Sequence, residues 1–271
     1  MAFIQENNIT INLNLKKEYK IIHFSDVHVV DLKNNETKEE LDQAKNNEDA
    51  WYRVRKDFAI HFNETCNEEH MIPSTECLDN LLKYSNDINP DSIVMTGDII
   101  DYYSKANYNY LKNSLKSINI PYIITCGNHE SPSSIFDEIT NNESDFRVIN
   151  LKEFKLIGID DSTKKVSNEI LEKLKKELED NIPIILCMHI PVLTKYNEIE
   201  MQKYDQYFII DYKNCDDVTN EFLKLIIENK LIKSILCGHT HGASSSFFAE
   251  GKVQYCASSG LIGYVNNIIV K

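Results

Sequence analysis

The chain has 271 residues, of which 42% are hydrophobic, a composition that suits one large α/β domain or two small ones. Its formal net charge of −13 comes from 42 acidic and 29 basic residues, so the average surface repels polyanions and long nucleic acid is not an expected partner. No apolar run approaches the ~20 residues that a membrane helix requires, so no membrane partner is expected either.

The N-terminus and the cysteines indicate a compartment. The first six residues lack a basic stretch followed by an apolar one, so no export signal is expected. The number of cysteines, seven, is odd, and Cys126, Cys187 and Cys237 lie in strand-like runs where a small buried hydrophobe fits. We therefore predict a soluble, cytoplasmic protein with reduced thiols, whose oligomeric state the sequence leaves open.

The N-terminal quarter of the chain contains two predicted strands and an insertion. Apolar and polar residues alternate over residues 9–15, which predicts a half-buried strand at a sheet edge, and an apolar run at residues 20–24 predicts the next strand. Residues 31–47 are rich in Asn, Lys, Glu and Asp and are predicted to form an exposed loop or a marginal helix.

The rest of the insertion, which spans residues 31–74, shows a helical pattern. Its apolar stripe consists of Trp51, Val54, Phe58 and Phe62. Arg53 and Arg55 are interleaved with this stripe, and arginine suits bidentate contact with phosphate. We expect the insertion to form part of the rim of a site, with Arg53 and Arg55 touching substrate; the alternative is that both belong to a solvated helix face.

Strands and helices then alternate, which predicts a mostly parallel sheet with right-handed crossovers. Thr75 is a candidate cap for the first of these helices. The predicted elements that follow are strands at 92–96, 122–124, 184–188 and 234–237, two strands within 146–159, helices around 108–118, 166–180 and 218–228, and short strands within 244–270. A long loop at residues 192–217 is expected near the site; its aromatic residues Tyr196, Tyr204, Tyr207, Phe208 and Tyr212 serve either packing or substrate stacking.

Five of the predicted strands end in polar residues. These strand ends carry Asp26 and His28; Gly97 and Asp98; Gly127, Asn128, His129 and Glu130; His189; and Gly238, His239 and His241. Ligands of open α/β sheets bind beyond the carboxyl ends of strands, so these side chains are expected to form one site. Their nitrogen and oxygen donors suit Zn, Mn, Fe, Co or Ni, and there are too many of them for a single tetrahedral zinc.

Taken in order, these five motifs resemble those of the calcineurin-like metallophosphoesterases over roughly residues 20–260. The resemblance implies a single domain over residues 1–271, built as a four-layer α/β/β/α sandwich with mixed sheets and a metal site at the carboxyl ends of strands. It implies two divalent metal ions. Asp26, His28 and His241 would hold one ion, Asn128, His189 and His239 the other, Asp98 would bridge them, and His129 would face the substrate as the proton donor.

This resemblance implies an enzyme that hydrolyses phosphate esters. Two metals can lower the pKa of a shared water toward ~7 and clamp the phosphoryl oxygens, while a general acid protonates the departing oxygen. Small phosphodiesters are slightly favoured as substrates, and phosphomonoesters or nucleotides are the alternative. A catalytically silent scaffold is less favoured because all seven ligands are present, and a nuclease is disfavoured by the net charge.

The sequence departs from two subfamilies. Purple acid phosphatases have a tyrosine three residues after the bridging aspartate, where this chain has Asp101, so an iron-tyrosinate centre is not expected. Protein Ser/Thr phosphatases carry arginines soon after that aspartate and after the Asn-His-Glu motif, and neither is present here. The histidines outside the motifs, His23, His61 and His70, are interpreted as core residues.

Overall fold

The computed structural model describes residues 3–204 and 209–271, and its centre is a pair of β-sheets. The strands are β1 (Gln5–Ile11), β2 (Tyr19–Phe24), β3 (Ser92–Thr96), β4 (Tyr122–Thr125), β5 (Phe146–Asn150), β6 (Lys155–Ile159), β7 (Ile184–Cys187), β8 (Val192–Leu193), β9 (Ile210–Asp211), β10 (Ile232–Cys237), β11 (Ser244–Ala249), β12 (Lys252–Cys256) and β13 (Tyr264–Val270). The α-helices are α1 (Lys38–Phe62), α2 (Ser74–Ile88), α3 (Lys105–Leu115), α4 (Asp137–Thr140), α5 (Asn168–Leu178), α6 (Glu198–Met201) and α7 (Asp217–Glu228).

Both large sheets are mixed. The first has the order β1-β13-β2-β3-β4 and the second the order β11-β12-β10-β7-β6-β5, while β8 and β9 form a separate short pair. β2, β3 and β4 are parallel, and so are β12, β10, β7 and β6, which matches the alternation of strands and helices along the chain. The antiparallel pairs are β13 with β2, β11 with β12, and β5 with β6.

Successive side chains of a strand point to opposite faces of the sheet, so each sheet contributes apolar residues to a core on both of its faces. In β7, Ile184 and Leu186 belong to the core under α5 and α7, whereas Ile185 and Cys187 belong to the core between the sheets. A third core lies between the first sheet and helices α2 and α3. The two sheets approach closely at Gly158, where a Cβ would lie 2.7 Å from the side chain of Ile123. The predicted four-layer α/β/β/α sandwich is therefore confirmed.

Two expectations about the first third of the chain are wrong in position, and one open alternative is resolved. β1 lies at a sheet edge as predicted, but it ends at Ile11, so residues 12–15 are outside it. Of the two alternatives for residues 31–47, a loop or a marginal helix, the structure has the helix from Lys38 onward, because Thr37 and Glu40 form a capping box in which each side chain accepts a hydrogen bond from the other's backbone. Thr75 lies within the first turn of α2, which Pro73 precedes, and so it is not the cap.

The segment at residues 192–217 contains β8, α6 and β9 rather than one continuous loop. Tyr207 and Phe208 lie outside the described residues. Tyr204 is buried, Tyr212 packs on the core of the second sheet, and Tyr196 is exposed. All seven cysteines are free thiols. No helix in the described ranges combines the length and apolarity needed to cross a membrane.

Candidate metal centre

The seven side chains predicted as metal ligands meet at the carboxyl ends of β2, β3, β4, β7 and β10, so both large sheets contribute. Within the described ranges, three groups of Asp and His residues have potential ligand atoms within 4.8 Å of one another. They are Asp26 with His28 and His241, His28 with Asp98 and His129, and Asp98 with His189 and His239. Because the groups share His28 and Asp98, they form one continuous centre.

The backbone at these strand ends is unusual. Asp26, His28, Asp98, His239 and His241 all have positive φ angles, between 46° and 71°. Residues other than glycine adopt this left-handed region rarely, at a cost of about 1–3 kcal/mol each, and such residues cluster at functional sites. The chain therefore turns sharply as it leaves each of these strands, which brings successive ligands into the same small volume.

Two motif glycines are required because the carboxylates of candidate metal ligands approach them closely. A Cβ at Gly127 would overlap Oδ1 of Asp98, and a Cβ at Gly238 would overlap the side chains of Ser25 and Asp26. The carboxylates thus occupy the space that a larger residue would need. This packing explains why glycine stands before Asn128 in one motif and before His239 in the other.

The group formed by Asp26, His28 and His241 fits a divalent cation. Nε2 of His28 lies 3.0 Å from Nε2 of His241, which lies 3.4 Å from Oδ1 of Asp26. That oxygen is buried and accepts no hydrogen bond from the described residues. Burial and the neighbouring His28 hold the pKa of His241 well below its usual range, so its imidazole is neutral and can ligate. A buried carboxylate oxygen facing imidazole nitrogens is an arrangement that a metal ion would satisfy.

The second group converges on His189. Its Nδ1 lies 2.7 Å from the carbonyl oxygen of Thr96, an acceptor, so the proton of the neutral ring is on Nδ1 and Nε2 has a lone pair. Nε2 lies 3.3 Å from Oδ2 of Asp98, 3.1 Å from Oδ1 of Asn128 and 3.0 Å from Nδ1 of His239. These four atoms can all act as acceptors. A single metal cation among them would be bound by all four atoms, whereas a single proton is shared by only two.

The pKa values in this group reflect the same crowding. Burial alone would lower the pKa of His189, but the charge and hydrogen bond of Asp98 raise it to about 10, so without a metal ion its Nε2 holds a proton, which a bound ion would displace. Burial and the adjacent His189 lower the pKa of His239 to about 3. Burial would raise the pKa of Asp98, yet the histidines around it hold that pKa far below the usual value. The carboxylate of Asp98 is therefore ionised, and the site favours positive charge at its centre.

Two buried carboxyl groups position candidate metal ligands through hydrogen bonds with the backbone. Glu130 accepts hydrogen bonds from the backbone N–H groups of Asp98, Ile100 and Gly127, and burial and the charge of Asp98 raise its pKa to about 8. Asp161 accepts from the N–H groups of His189 and Ile190, and burial raises its pKa to about 7. The sequence alone predicts no role for either residue. Asp161 follows the end of β6 closely, so it lies at the carboxyl end of a strand, as the candidate ligands do.

Asp101 connects the metal centre to His129. Its Oδ1 lies 3.0 Å from Nδ1 of His129 and 3.4 Å from Nδ1 of His28, and it accepts a 2.7 Å hydrogen bond from the Trp51 indole. Asn47 donates a 2.6 Å hydrogen bond to the other oxygen. Burial opposes protonation of His129, but the hydrogen bond with Asp101 and the charge of Asp98 raise its pKa to about 9. From the sequence alone, Asp101 is notable only as the residue that stands where purple acid phosphatases have a tyrosine.

A cavity of about 410 Å³ opens above the centre. Its floor contains Asp98, Asn128, His129, His239 and His241. The remaining described residues that line it are Trp51, Phe58, His61, Phe62, Lys203, Tyr204 and Thr240. The insertion and the segment at residues 192–217 thus both contribute walls to the cavity.

Three predicted residues have different surroundings from those expected. Arg55 is fully buried and donates hydrogen bonds to the carbonyl oxygens of His70 and Ile72, so it is neither a substrate contact nor part of a solvated face. Arg53 is exposed on α1 and is not among the described residues that line the cavity, which leaves the solvated face as its interpretation. His61 is exposed and lines the cavity, so its interpretation as a core residue is wrong.

The other two histidines outside the motifs are buried as expected. Nε2 of His23 lies 2.8 Å from Oγ1 of Thr96, and its Nδ1 lies 3.1 Å from the amide nitrogen of Asn266. Nδ1 of His70 accepts a hydrogen bond from the backbone N–H of Asn67.

A profile of the family described as calcineurin-like phosphoesterases matches residues 19–243, which is most of the chain. The chain belongs to this family. As in the family, its metal centre is one for two divalent ions, and the Asp and His groups described above are able to hold them.

Curated relatives of this calcineurin-like phosphoesterase carry the names of phosphodiesterases. A probable glycerophosphodiester phosphodiesterase from Arcobacter nitrofigilis is 24% identical over 183 residues, which are 62% of this chain and 63% of the relative. A probable cyclic nucleotide phosphodiesterase from a Synechococcus species is 26% identical over 173 residues, which are 60% of this chain and 61% of the relative. The chain thus spans less than two thirds of the length of these relatives.

Solved structures share the fold at low identity. A dimetal phosphatase from Danio rerio has a TM-score of 0.60 and 13% identity, with 90% of this chain and 88% of that chain covered. A purple acid phosphatase from yellow lupin seeds has a TM-score of 0.52 and 10% identity, with 92% of this chain and 45% of that chain covered.

Proposed function

We propose that this calcineurin-like phosphoesterase is a metal-dependent hydrolase of small phosphodiesters. The observation that carries the proposal is the convergence of six nitrogen and oxygen donors around Asp98, beside a histidine that is not needed as a ligand. The names of the curated relatives, which are phosphodiesterases for glycerol esters and for cyclic nucleotides, favour diesters over monoesters.

The assignment of ligands follows the two groups of side chains. Asp26, His28 and His241 would hold one ion, and Asn128, His189 and His239 would hold the other. Asp98 suits a position between them because its Oδ2 lies 3.9 Å from Nε2 of His28 and 3.3 Å from Nε2 of His189. When bound, two divalent ions supply an activated water and neutralise charge on the phosphoryl oxygens.

His129 is the proposed proton donor. Its Nδ1 lies within 3.0 Å of both the backbone oxygen and Oδ1 of Asp101, so the proton on Nδ1 is held there and Nε2 is left for the substrate. The ring lines the cavity with 35% of the side chain exposed. A proton delivered from Nε2 to the departing oxygen contributes roughly 10²–10⁴ in rate when the leaving group is poor.

Location and further partners also belong to the proposal. Five of the seven free cysteines are buried, and unpaired thiols are typical of a reducing compartment, so we infer a cytoplasmic protein. The net charge of −13 disfavours long nucleic acid as a partner.

The test is a metal add-back experiment. Protein stripped with a chelator should have no activity and should recover it with Mn, Co, Ni, Zn or Fe, with bis-p-nitrophenyl phosphate and cyclic nucleotides turned over faster than p-nitrophenyl phosphate. Asp98→Asn should abolish turnover and lower the bound metal per chain, while Asp87→Asn, at an exposed carboxylate on α2, should change neither. Wild-type rates in Asp98→Asn, or activity without metal, would refute the proposal; a preference for p-nitrophenyl phosphate would indicate a phosphomonoesterase.

A further inference from the structure

Helix α1 uses two adjoining faces for different purposes. Its buried residues pack against the body of the protein: Ala44, Glu48, Arg55 and Ala59. The neighbouring face carries Trp51, Phe58 and Phe62, which are spaced by seven and four residues and therefore lie along one side of the helix. All three line the cavity above the metal centre.

The rings on this face line one cavity together with Tyr204, and we call these four residues the aromatic wall. The ring centroid of Trp51 lies 3.8 Å from that of His28 and 5.3 Å from that of His241. The ring centroid of Phe58 lies 4.8 Å from that of His241. The Phe62 ring lies 5.6 Å from the Tyr204 ring at 29° between planes. The wall therefore begins over the metal-ligand histidines and extends away from them along the cavity.

Part of this wall is not covered by the described chain. The side chain of Phe58 is 37% exposed although it lies beside the buried ring of His241. Leaving an aromatic ring in contact with water is unfavourable, and burying its exposed area under another apolar group would stabilise the complex. A ligand whose phosphoryl group lies on the floor of the cavity would place its next group against these rings.

We propose that the aromatic wall, Trp51, Phe58, Phe62 and Tyr204, binds a flat aromatic group of the substrate, so that the preferred phosphodiesters carry a nucleobase or an aryl ring close to the phosphorus. The inference rests on the proposed function and names the substrate class of the same site. Stacking of a base on an aromatic side chain contributes roughly 5- to 150-fold in affinity, and a small polar alcohol such as glycerol has no ring with which to gain it. The wall thus discriminates between esters that share the same phosphodiester group.

A substrate comparison tests this inference. 3′,5′-Cyclic AMP and bis-p-nitrophenyl phosphate carry flat rings, and glycerophosphoethanolamine has none. Phe58→Leu keeps an apolar side chain but removes the flat ring, so it should lower kcat/KM for the first two by about fivefold or more and for the third by less than about twofold. Tyr52→Leu is the matched control, since Tyr52 is also an exposed aromatic residue of α1 but does not line the cavity, and it should leave all three substrates unchanged.

A binding measurement separates this inference from the proposed function. Trp51 is the only tryptophan of the chain and belongs to the wall, so its fluorescence reports on the wall directly. In the metal-loaded protein, phenyl phosphate should bind more tightly than glycerol phosphate, and Phe58→Leu should remove most of the difference. Equal effects of Phe58→Leu on all three substrates, or equal affinity for the two monoesters, would overturn the aromatic preference. Absence of turnover with the binding preference intact would refute the proposed function alone.

Discussion

The indole of Trp51 is stacked on the imidazole of His28, with ring centroids 3.8 Å apart and planes inclined by 23°. His28 follows β2 and is a proposed metal ligand, whereas Trp51 belongs to α1 in the insertion that separates the first two motifs. The indole N–H donates to Asp101, whose Oδ1 also approaches Nδ1 of His28. The insertion therefore packs against the ring of this candidate ligand through Trp51 and, through the same indole, holds Asp101 near its Nδ1.

We expect metal affinity to depend on Trp51. Trp51→Phe keeps a ring against His28 but removes the donor to Asp101, and it should weaken metal binding or activity by about tenfold, toward the lower end of the 10–100-fold effects typical of groups that orient ligands. Trp51→Leu removes the ring as well and should cost more. Competition with a chromophoric chelator measures both affinities, with Tyr52→Leu as the control. Wild-type affinity in both Trp51 variants would show that the stack is only packing.

Replacing His129 should have an effect that depends on the leaving group. His129→Gln removes the proton donor but leaves the seven ligands, so alkyl esters should lose toward ~10²–10⁴ in rate while nitrophenyl esters, which depart nearly unaided, lose little. Elemental analysis should still find wild-type metal content. Equal losses for both classes of ester would assign His129 to positioning the phosphate, and lost metal would make it a ligand.

Asp101→Asn should combine two defects because Asp101 approaches both His129 and His28. We expect weaker metal binding together with a loss on alkyl esters that exceeds the loss on nitrophenyl esters. Kinetics at saturating metal separate the two, since added metal should restore the nitrophenyl rate more fully than the alkyl rate. Full recovery of both would mean that Asp101 acts on the metal centre alone.

Arg53 and Arg55 provide a matched pair for stability. Arg55→Met leaves the carbonyl oxygens of His70 and Ile72 without their donor, and each such loss costs about 1–3 kcal/mol, so we expect the free energy of unfolding to fall by roughly 2–6 kcal/mol. Arg53→Met changes an exposed side chain and should stay within about 0.5 kcal/mol. Urea denaturation at one fixed metal concentration measures both. Equal midpoints for the two variants would contradict the buried role of Arg55.

His23 should make the protein sensitive to acid. Burial lowers its pKa to about 3, whereas an unfolded histidine has a pKa near ~6.5. Between these two pH values the unfolded state binds more protons than the folded state. The contribution of His23 to the free energy of unfolding is therefore fully present above about pH 6.5, and the free energy falls as the pH drops, by up to about 1.4 kcal/mol per pH unit. Protonation would also break the bond that Nδ1 accepts from Asn266. In His23→Gln the slope of unfolding free energy against pH between about 4 and 6.5 should be shallower; identical slopes would exclude His23 as the cause.

The candidate ligands could be predicted from the sequence because each is a local signal, an apolar strand followed at once by a polar residue. The rule that parallel strands present their carboxyl ends at one edge does not depend on how the sheets pack. Asp161 does not stand out by this rule because the end of β6 carries no histidine, asparagine or Gly-Asp pair. Thr37 and Glu40 have the spacing of a capping box, but the polarity of the segment around them leaves both a loop and a helix open.

The walls of the site were harder to predict because they depend on which side of α1 faces the body. Periodicity shows that Arg53 and Arg55 point in different directions, but it does not show which of them is buried. The long arginine side chain of Arg55 is buried because three carbonyl oxygens, those of His70, Ile72 and Leu261, lie within its reach, and they come from distant parts of the chain. The same tertiary packing leaves His61 at the cavity rather than in the core.

The left-handed backbone at Asp26, His28, Asp98, His239 and His241 limits how this centre can be rebuilt in another protein. Copying the seven side chains onto regular strands would place them along straight edges, and the donors would not meet. A designed host would need the same abrupt turn at each strand end and would bear its conformational cost before any metal is added. Among natural replacements, asparagine is the residue that tolerates this conformation best apart from glycine, so exchanges toward asparagine should preserve the backbone even where they weaken the donor.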